Sequence, residues 1–244
     1  MGTPVVFLHG LTFDRRTWGA IVAGLGDNVR ALTIDLPGHG ETGGLPCSLW
    51  DAAATVNDTV IGLGIDRPIV VGHSMGAAIA GIYAASFPTL GLVNVDQPLE
   101  IRPFARMVRQ LWPALSGSNF RAAFEPFEEG IGVDRIPEPL RSEVVKGRDV
   151  RQDVVLGYWE DLISTEPNEM QTRIDDASSR ITCPYLAVFG RALEPGERHD
   201  LLAQIPQAQI EEWPGSGHCV HLVECGRFTG RLQSFIEACA HPAA

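Results

Sequence analysis

One short stretch in the first third of the chain constrains its fold more than any other. Pro68 to Ala78 reads PIVVGHSMGAA: an apolar, β-branched run stops abruptly at Gly72-His73-Ser74-Met75-Gly76, and an alanine-rich pattern begins. The spacing predicts a buried strand, a cramped turn and a helix whose small residues (Ala77, Ala78, Ala80, Ala84, Ala85) let it pack close to a sheet. Glycine is needed on both sides of Ser74 because a β-carbon there would collide with the neighbouring strand or helix. The turn lifts the Ser74 hydroxyl out of the sheet edge. It also leaves the N–H of Met75 in the first turn of a helix, where no intrahelical carbonyl reaches it and an oxyanion could.

A G-x-S-x-G turn between strand and helix is the nucleophile elbow, and on these residues the chain resembles the α/β-hydrolases. More of the chain fits the resemblance. An early apolar run, Pro4 to Leu8, is followed by His9-Gly10-Leu11-Thr12; in this family an H-G turn at that place supplies the second oxyanion-hole N–H, which implies Leu11 beside Met75. Val29 to Ile34 reads as the next strand and runs into Asp35-Leu-Pro-Gly-His-Gly, similar to the family's D-x-P-G-x-G turn, with Asp35 holding the turn.

Elsewhere hydrophobic periodicity carries the reading. Arg15 to Leu25, with Trp18, Ile21, Val22 and Leu25 on one face, predicts a crossover helix. Leu49 to Leu63 predicts another, capped by Ser48 with Asp51 at its third position. Gly91 to Val95, Pro184 to Phe189 and Gln209 to Trp213 read as strands. Strands alternating with helices at this spacing predict a mostly parallel, doubly wound α/β sheet with reactive groups at the carboxyl ends of its strands. Almost nothing precedes the first strand, so the family's N-terminal edge strands are expected to be short or missing.

Between Leu99 and Arg180 the texture changes to prolines, charges and short amphipathic segments with no strand-like run. This resembles the helical cap inserted after the family's sixth strand. The expected organisation is a core of residues 1–98 and 181–244 with a cap of 99–180.

A serine hydroxyl needs a base to take its proton as it attacks. The resemblance implies His218, which follows Gly215-Ser216-Gly217 after the last strand; His221 is the rival three residues on. The base in turn needs a carboxylate to hold its tautomer and stabilise the imidazolium. The family's usual acid position, after the seventh strand, falls on Leu193, with Glu194 one residue farther along. Asp96, directly after the sixth strand, matches the alternative acid placement of part of the superfamily. Asp96 is the first choice and Glu194 the alternative.

Composition narrows the function classes. A formal charge of −11 leaves no basic surface for nucleic acid, and no apolar run approaches membrane-spanning length. The five cysteines are scattered without a C-x-x-C pair, as expected of free thiols in a reducing, cytoplasmic compartment. No cluster has metal-ligand spacing, and neither metal nor cofactor is expected. The expectation is a monomeric or homodimeric serine hydrolase opening a carboxylic ester or lactone of a small, largely apolar molecule. A thioesterase, a carbon–carbon hydrolase or lyase, and a non-catalytic ligand receptor on the same fold are the alternatives.

Overall fold

The computed structural model describes residues 2–241. Six strands form one sheet: β1 (Thr3–Leu8), β2 (Val29–Ile34), β3 (Ile69–His73), β4 (Gly91–Val95), β5 (Tyr185–Phe189) and β6 (Ala208–Glu212). They lie in the order β2-β1-β3-β4-β5-β6, and every pairing is parallel. The chain first steps outward from β1 to β2, then returns to place β3 on the other side of β1. That reversal opens a crevice beyond the carboxyl ends of β1 and β3, where ligands bind in open α/β sheets.

Alternation along the strands fills two layers. Val6, Leu8, Val70, Leu92 and Ala187 face α2 (Leu49–Gly62) and α3 (Met75–Ser86), whereas Val5, Phe7, Val71, Val93 and Val188 face α1 (Gly19–Gly24) and a long C-terminal helix. A sheet covered on both sides explains the near-continuous apolar runs of the central strands. Ser48 caps α2 as expected, its Oγ accepting from the N–H of Asp51 at 3.1 Å.

The expected single helix over Arg15 to Leu25 is broken. Arg15–Trp18 is a 3₁₀ turn, α1 begins only at Gly19, and Leu25 is extended. Asp14 sets the tighter turn: its carboxylate accepts from the N–H of Arg16 at 2.8 Å and its carbonyl from the N–H of Thr17 at 3.1 Å. Burial of Trp18 then anchors the turn against the sheet, and Gly19 adds little helical propensity of its own.

Five helices separate β4 from β5: α4 (Arg102–Leu115), α5 (Phe120–Ile131), α6 (Leu140–Gly147), α7 (Gln152–Ser164) and α8 (Pro167–Ser178). They close over the carboxyl edge of the sheet; the apolar faces of α4, α5, α7 and α8 join the core cluster of α2 and α3, whereas Val144 of α6 packs with Phe13, Ile136, Cys219 and Leu222. The chain finishes with α9 (Pro195–Gln204), the short α10 (Val220–Val223) and α11 (Cys225–Ala240). No helix among the described residues is long and apolar enough to cross a membrane.

Candidate active site

Ser74 follows β3 with φ 53° and ψ −123°, outside the comfortable region for a residue with a side chain. The turn is that tight because β1 lies against it. A β-carbon on Gly72 would stand 2.2 Å from the Gly76 carbonyl oxygen, and one on Gly76 would stand 2.4 Å from that of Leu8. Ser74 is anchored by its own N–H, which donates to Val95 O at 3.0 Å, and caps α3 through its carbonyl. Only three non-glycine residues among the described ones have positive φ: Thr12, Ser74 and Asp96. All three sit on loops at the carboxyl edge of the sheet, the kind of place where backbone strain is tolerated for function.

Asp96 directly follows β4, the neighbour of β3. Its N–H donates to Val188 O at 2.9 Å, and its Oδ1 accepts from the N–H of Gly190 at 2.9 Å. Its Oδ2 lies 2.8 Å from His218 Nδ1. A carboxylate can only accept, so Nδ1 carries the proton and Nε2 has its lone pair free. The loop bearing His218 reaches back from β6 across the end of β5, held by Trp213 N–H to Phe189 O (2.7 Å) and Gly217 N–H to Gly190 O (3.0 Å).

His73, the residue before the serine, secures the far end of that loop. Its Nε2–H donates to the His218 carbonyl at 2.9 Å. Full burial, reinforced by the neighbouring imidazoles of His221 and His218, holds its pKa well below the ordinary value. His221 lies 4.4 Å from the His73 ring, fully buried, with neither ring nitrogen hydrogen-bonded. Burial, then the charge of His218, pushes its pKa down to about 3. The buried rival therefore has no carboxylate partner and stays neutral.

Glu194 is elsewhere. It is exposed at the N-terminus of α9, where its N–H donates to Glu197 Oε2 at 2.9 Å in a capping arrangement. The Glu194-Pro195 pair that begins this helix is a helix-start signal readable from sequence alone. Asp35 holds its turn as expected, accepting from the N–H groups of Arg15 (2.7 Å) and Glu41 (3.0 Å).

Leu11 and Met75 both line the crevice beside Ser74. Neither N–H donates to a backbone acceptor among the described turn and loop bonds. His9 steadies the first of these loops, a role that sequence reasoning missed. Its Nδ1–H donates to Gly10 O (2.8 Å), so its Nε2 can accept from the N–H of Leu36 (3.0 Å). Burial, aided by His39, lowers its pKa to about 4, which keeps Nε2 an acceptor at neutral pH.

Ser74, Asp96 and His218 open on a cavity of about 610 Å³ between the sheet edge and the helices inserted after β4. Its walls include Phe104, Phe124, Phe127 and Trp159, whose rings pack with centroids 4.8 to 6.1 Å apart. The sole arginine or lysine among its described lining residues is Arg191, committed to Glu197 at 2.5 and 2.7 Å. No hydrogen bond joins Ser74 Oγ to the His218 ring among the described residues; such catalytic contacts commonly tighten only in the complex with substrate.

Comparison with known proteins agrees with this architecture. A family profile described as the alpha/beta hydrolase family matches residues 5–228. The chain is 35% identical over 235 residues to a 2-succinyl-6-hydroxy-2,4-cyclohexadiene-1-carboxylate synthase of Enterobacter sp. (strain 638), covering 89% of this chain and 85% of that protein. It is 31% identical over 263 residues to an sn-1-specific diacylglycerol lipase ABHD11 of Danio rerio, covering 96% and 78%. Among solved structures, an enol-lactonase from Burkholderia xenovorans LB400 superposes with a TM-score of 0.78 at 17% identity, covering 97% of this chain and 92% of that one. The fold is shared at that distance; the chemistry has to be argued from the site.

Proposed function

The chain belongs to the alpha/beta hydrolase family, and from that premise we propose that it is a serine hydrolase cleaving a neutral carboxylic ester or lactone through an acyl-enzyme. The observation that carries this reading is the 2.8 Å contact between His218 Nδ1 and Asp96 Oδ2, on a loop folded back over the strained Ser74 turn. In this scheme Ser74 Oγ attacks the carbonyl carbon and its proton passes to His218 Nε2. Asp96 stabilises the imidazolium that forms. The N–H groups of Leu11 and Met75 hold the oxyanion; the imidazolium then protonates the departing alkoxide, and water repeats the sequence to release the acid. The helices of residues 99–180 act as a cap that shapes the acyl pocket and excludes water.

The cavity supports an apolar, uncharged substrate. At about 610 Å³ it falls within the roughly 300–1,000 Å³ of small-molecule pockets, and its walls are dominated by aromatic and aliphatic side chains. Asp96, Glu100 and Asp161 line it, while its arginine is already paired. A carboxylate-bearing substrate, such as the name of the Enterobacter relative denotes, would enter an acidic cavity with no unpaired arginine or lysine among its described lining residues to receive it. Ester or lactone opening is therefore favoured over that synthase chemistry. The five free cysteines support a reducing, cytoplasmic setting.

The test is a series of p-nitrophenyl esters from acetate to dodecanoate together with fluorophosphonate labelling. Ser74→Ala should abolish labelling and nearly all turnover. Labelling at another serine, or ester turnover that survives Ser74→Ala, would refute the assignment.

A further inference from the structure

The turn that presents Leu11 is held from outside the sheet. Phe13 N–H donates to Gly10 O at 3.2 Å, so Leu11 and Thr12 are the two central residues of a β-turn. Thr12 has φ 71°, the value that the third position of a type II turn requires and that glycine or asparagine usually fills. A β-branched residue in this conformation is an outlier that persists only where its surroundings impose it.

Thr12 is imposed upon by three bonds. Its N–H donates to His39 Nε2 at 3.3 Å. Its carbonyl accepts from the N–H of Asp149 at 3.0 Å, and its Oγ1 accepts from Arg148 Nη2 at 3.2 Å. The last two come from the segment joining α6 to α7, far away in sequence. Arg148 is costly to place there. Its side chain is 11% exposed, its Nε has no partner, and burial lowers its pKa in spite of Glu128, whose Oε1 is 3.4 Å from Nη2. The guanidinium lies over the ring of Phe13, 5.1 Å from its centroid, so the side chain touches the last two residues of the turn.

We propose that Arg148 is a positioning residue for the oxyanion hole. With the N–H of Asp149 it holds Thr12 left-handed and so fixes the turn that places Leu11 at the cavity. Release of Thr12 from this φ would let the turn relax and shift Leu11, whose N–H belongs to the preceding Gly10–Leu11 peptide, away from its place at the cavity. The inference rests on the serine-hydrolase reading, because it concerns a donor that acts only on an oxyanion. It also makes the inserted helical segment a part of the catalytic apparatus as well as a pocket wall.

The experiment uses the full chain and an alkyl trifluoromethyl ketone, which forms a tetrahedral adduct with the serine, alongside steady-state ester kinetics. Arg148→Met should weaken ketone inhibition and lower kcat by roughly tenfold to a hundredfold, short of the 10²–10³ lost when a donor is removed, with KM within about threefold. Thr12→Ala, which removes the Oγ1 acceptor, should act in the same direction and serves if Arg148→Met folds poorly. Arg148→Met/Thr12→Gly should recover most of the loss, since glycine adopts positive φ unaided. A merely structural Arg148 would lower the melting temperature without this selective loss or this rescue. A normal adduct in wild type with unchanged ketone affinity in Arg148→Met and Thr12→Ala overturns this inference alone. Absence of any adduct at Ser74 in wild type overturns the serine-hydrolase reading and this inference with it.

Discussion

Replacing Asp96 by asparagine separates geometry from charge at the point where this site is most specific. The amide keeps the shape of the carboxylate, and its oxygen can still accept from Gly190 N–H, now at 2.9 Å to Oδ1. The amide nitrogen then takes the place of Oδ2, 2.8 Å from His218 Nδ1, and presents hydrogens to it. To avoid opposing donors, the imidazole must move its proton to Nε2, the atom that receives the Ser74 proton in the proposed scheme. The charge that stabilises the imidazolium disappears as well. In a well-studied serine protease the same change lowers kcat by about four orders of magnitude, which at 1.36 kcal/mol per tenfold is about 5.4 kcal/mol of transition-state stabilisation. Asp96 is largely shielded, with a side chain 12% exposed, so solvent can replace little of the lost interaction and a loss near that size is expected. The matched control is Glu194→Gln. That side chain is exposed, and the capping bond from its N–H to Glu197 does not depend on its charge, so kcat should change by less than about twofold and stability by about 0.5 kcal/mol at most. Both variants are to be assayed on the best p-nitrophenyl ester after circular dichroism has established that they are folded. A folded Asp96→Asn within tenfold of wild type would refute the argument, as would a Glu194→Gln loss of comparable size.

Further expectations concern the base, acid stability and the pocket mouth. His218→Ala should lower kcat by at least about four orders of magnitude, whereas His221→Ala should leave it within about tenfold and lower stability, the reverse ranking moving the base to His221. Acid should destabilise the fold through its buried imidazoles. His9 and His221 have folded pKa values lowered to about 4 and about 3 from an ordinary 6.5, so their contribution is complete above pH 6.5 and is lost as pH falls toward the folded values. Each contributes a slope that is half-developed at pH 6.5 and approaches about 1.4 kcal/mol per pH unit near pH 5, together roughly 3 kcal/mol between pH 6.5 and 5; urea midpoints that do not move over that interval would contradict this account. Met107 lines the cavity yet is 41% exposed, which puts it at the rim; Met107→Trp should raise KM for dodecanoate at least fivefold more than for acetate while changing stability by less than about 0.5 kcal/mol, and an equal effect on both esters would remove Met107 from the substrate path.

Local chemistry alone made much of this protein legible. The Ser74 turn was readable because a strand, two obligatory glycines and a small-residue helix leave one backbone solution, and the two-sided burial of β1, β3, β4 and β5 was readable from their unbroken apolar runs. Which of Asp96 and Glu194 stands beside His218 was not readable, since both follow strands in an order compatible with the same chemistry. It depends on the order of strands across the sheet, which sets β4 beside β3, and on the β6 loop folding back to bring His218 Nδ1 within 2.8 Å of Asp96. The buried state of His221 lay equally out of reach, because its neighbours Trp18 and His73 come from distant segments. Thr12 is the sharpest case. Its sequence context predicts an ordinary turn, and only the side chains of His39 and Arg148 and the backbone N–H of Asp149 force the conformation that a β-branched residue would not adopt by itself. Periodicity and steric limits act between near neighbours and so are written in the sequence, whereas a proton's position on a ring or the sign of a φ angle is decided by groups that meet only when the chain has folded.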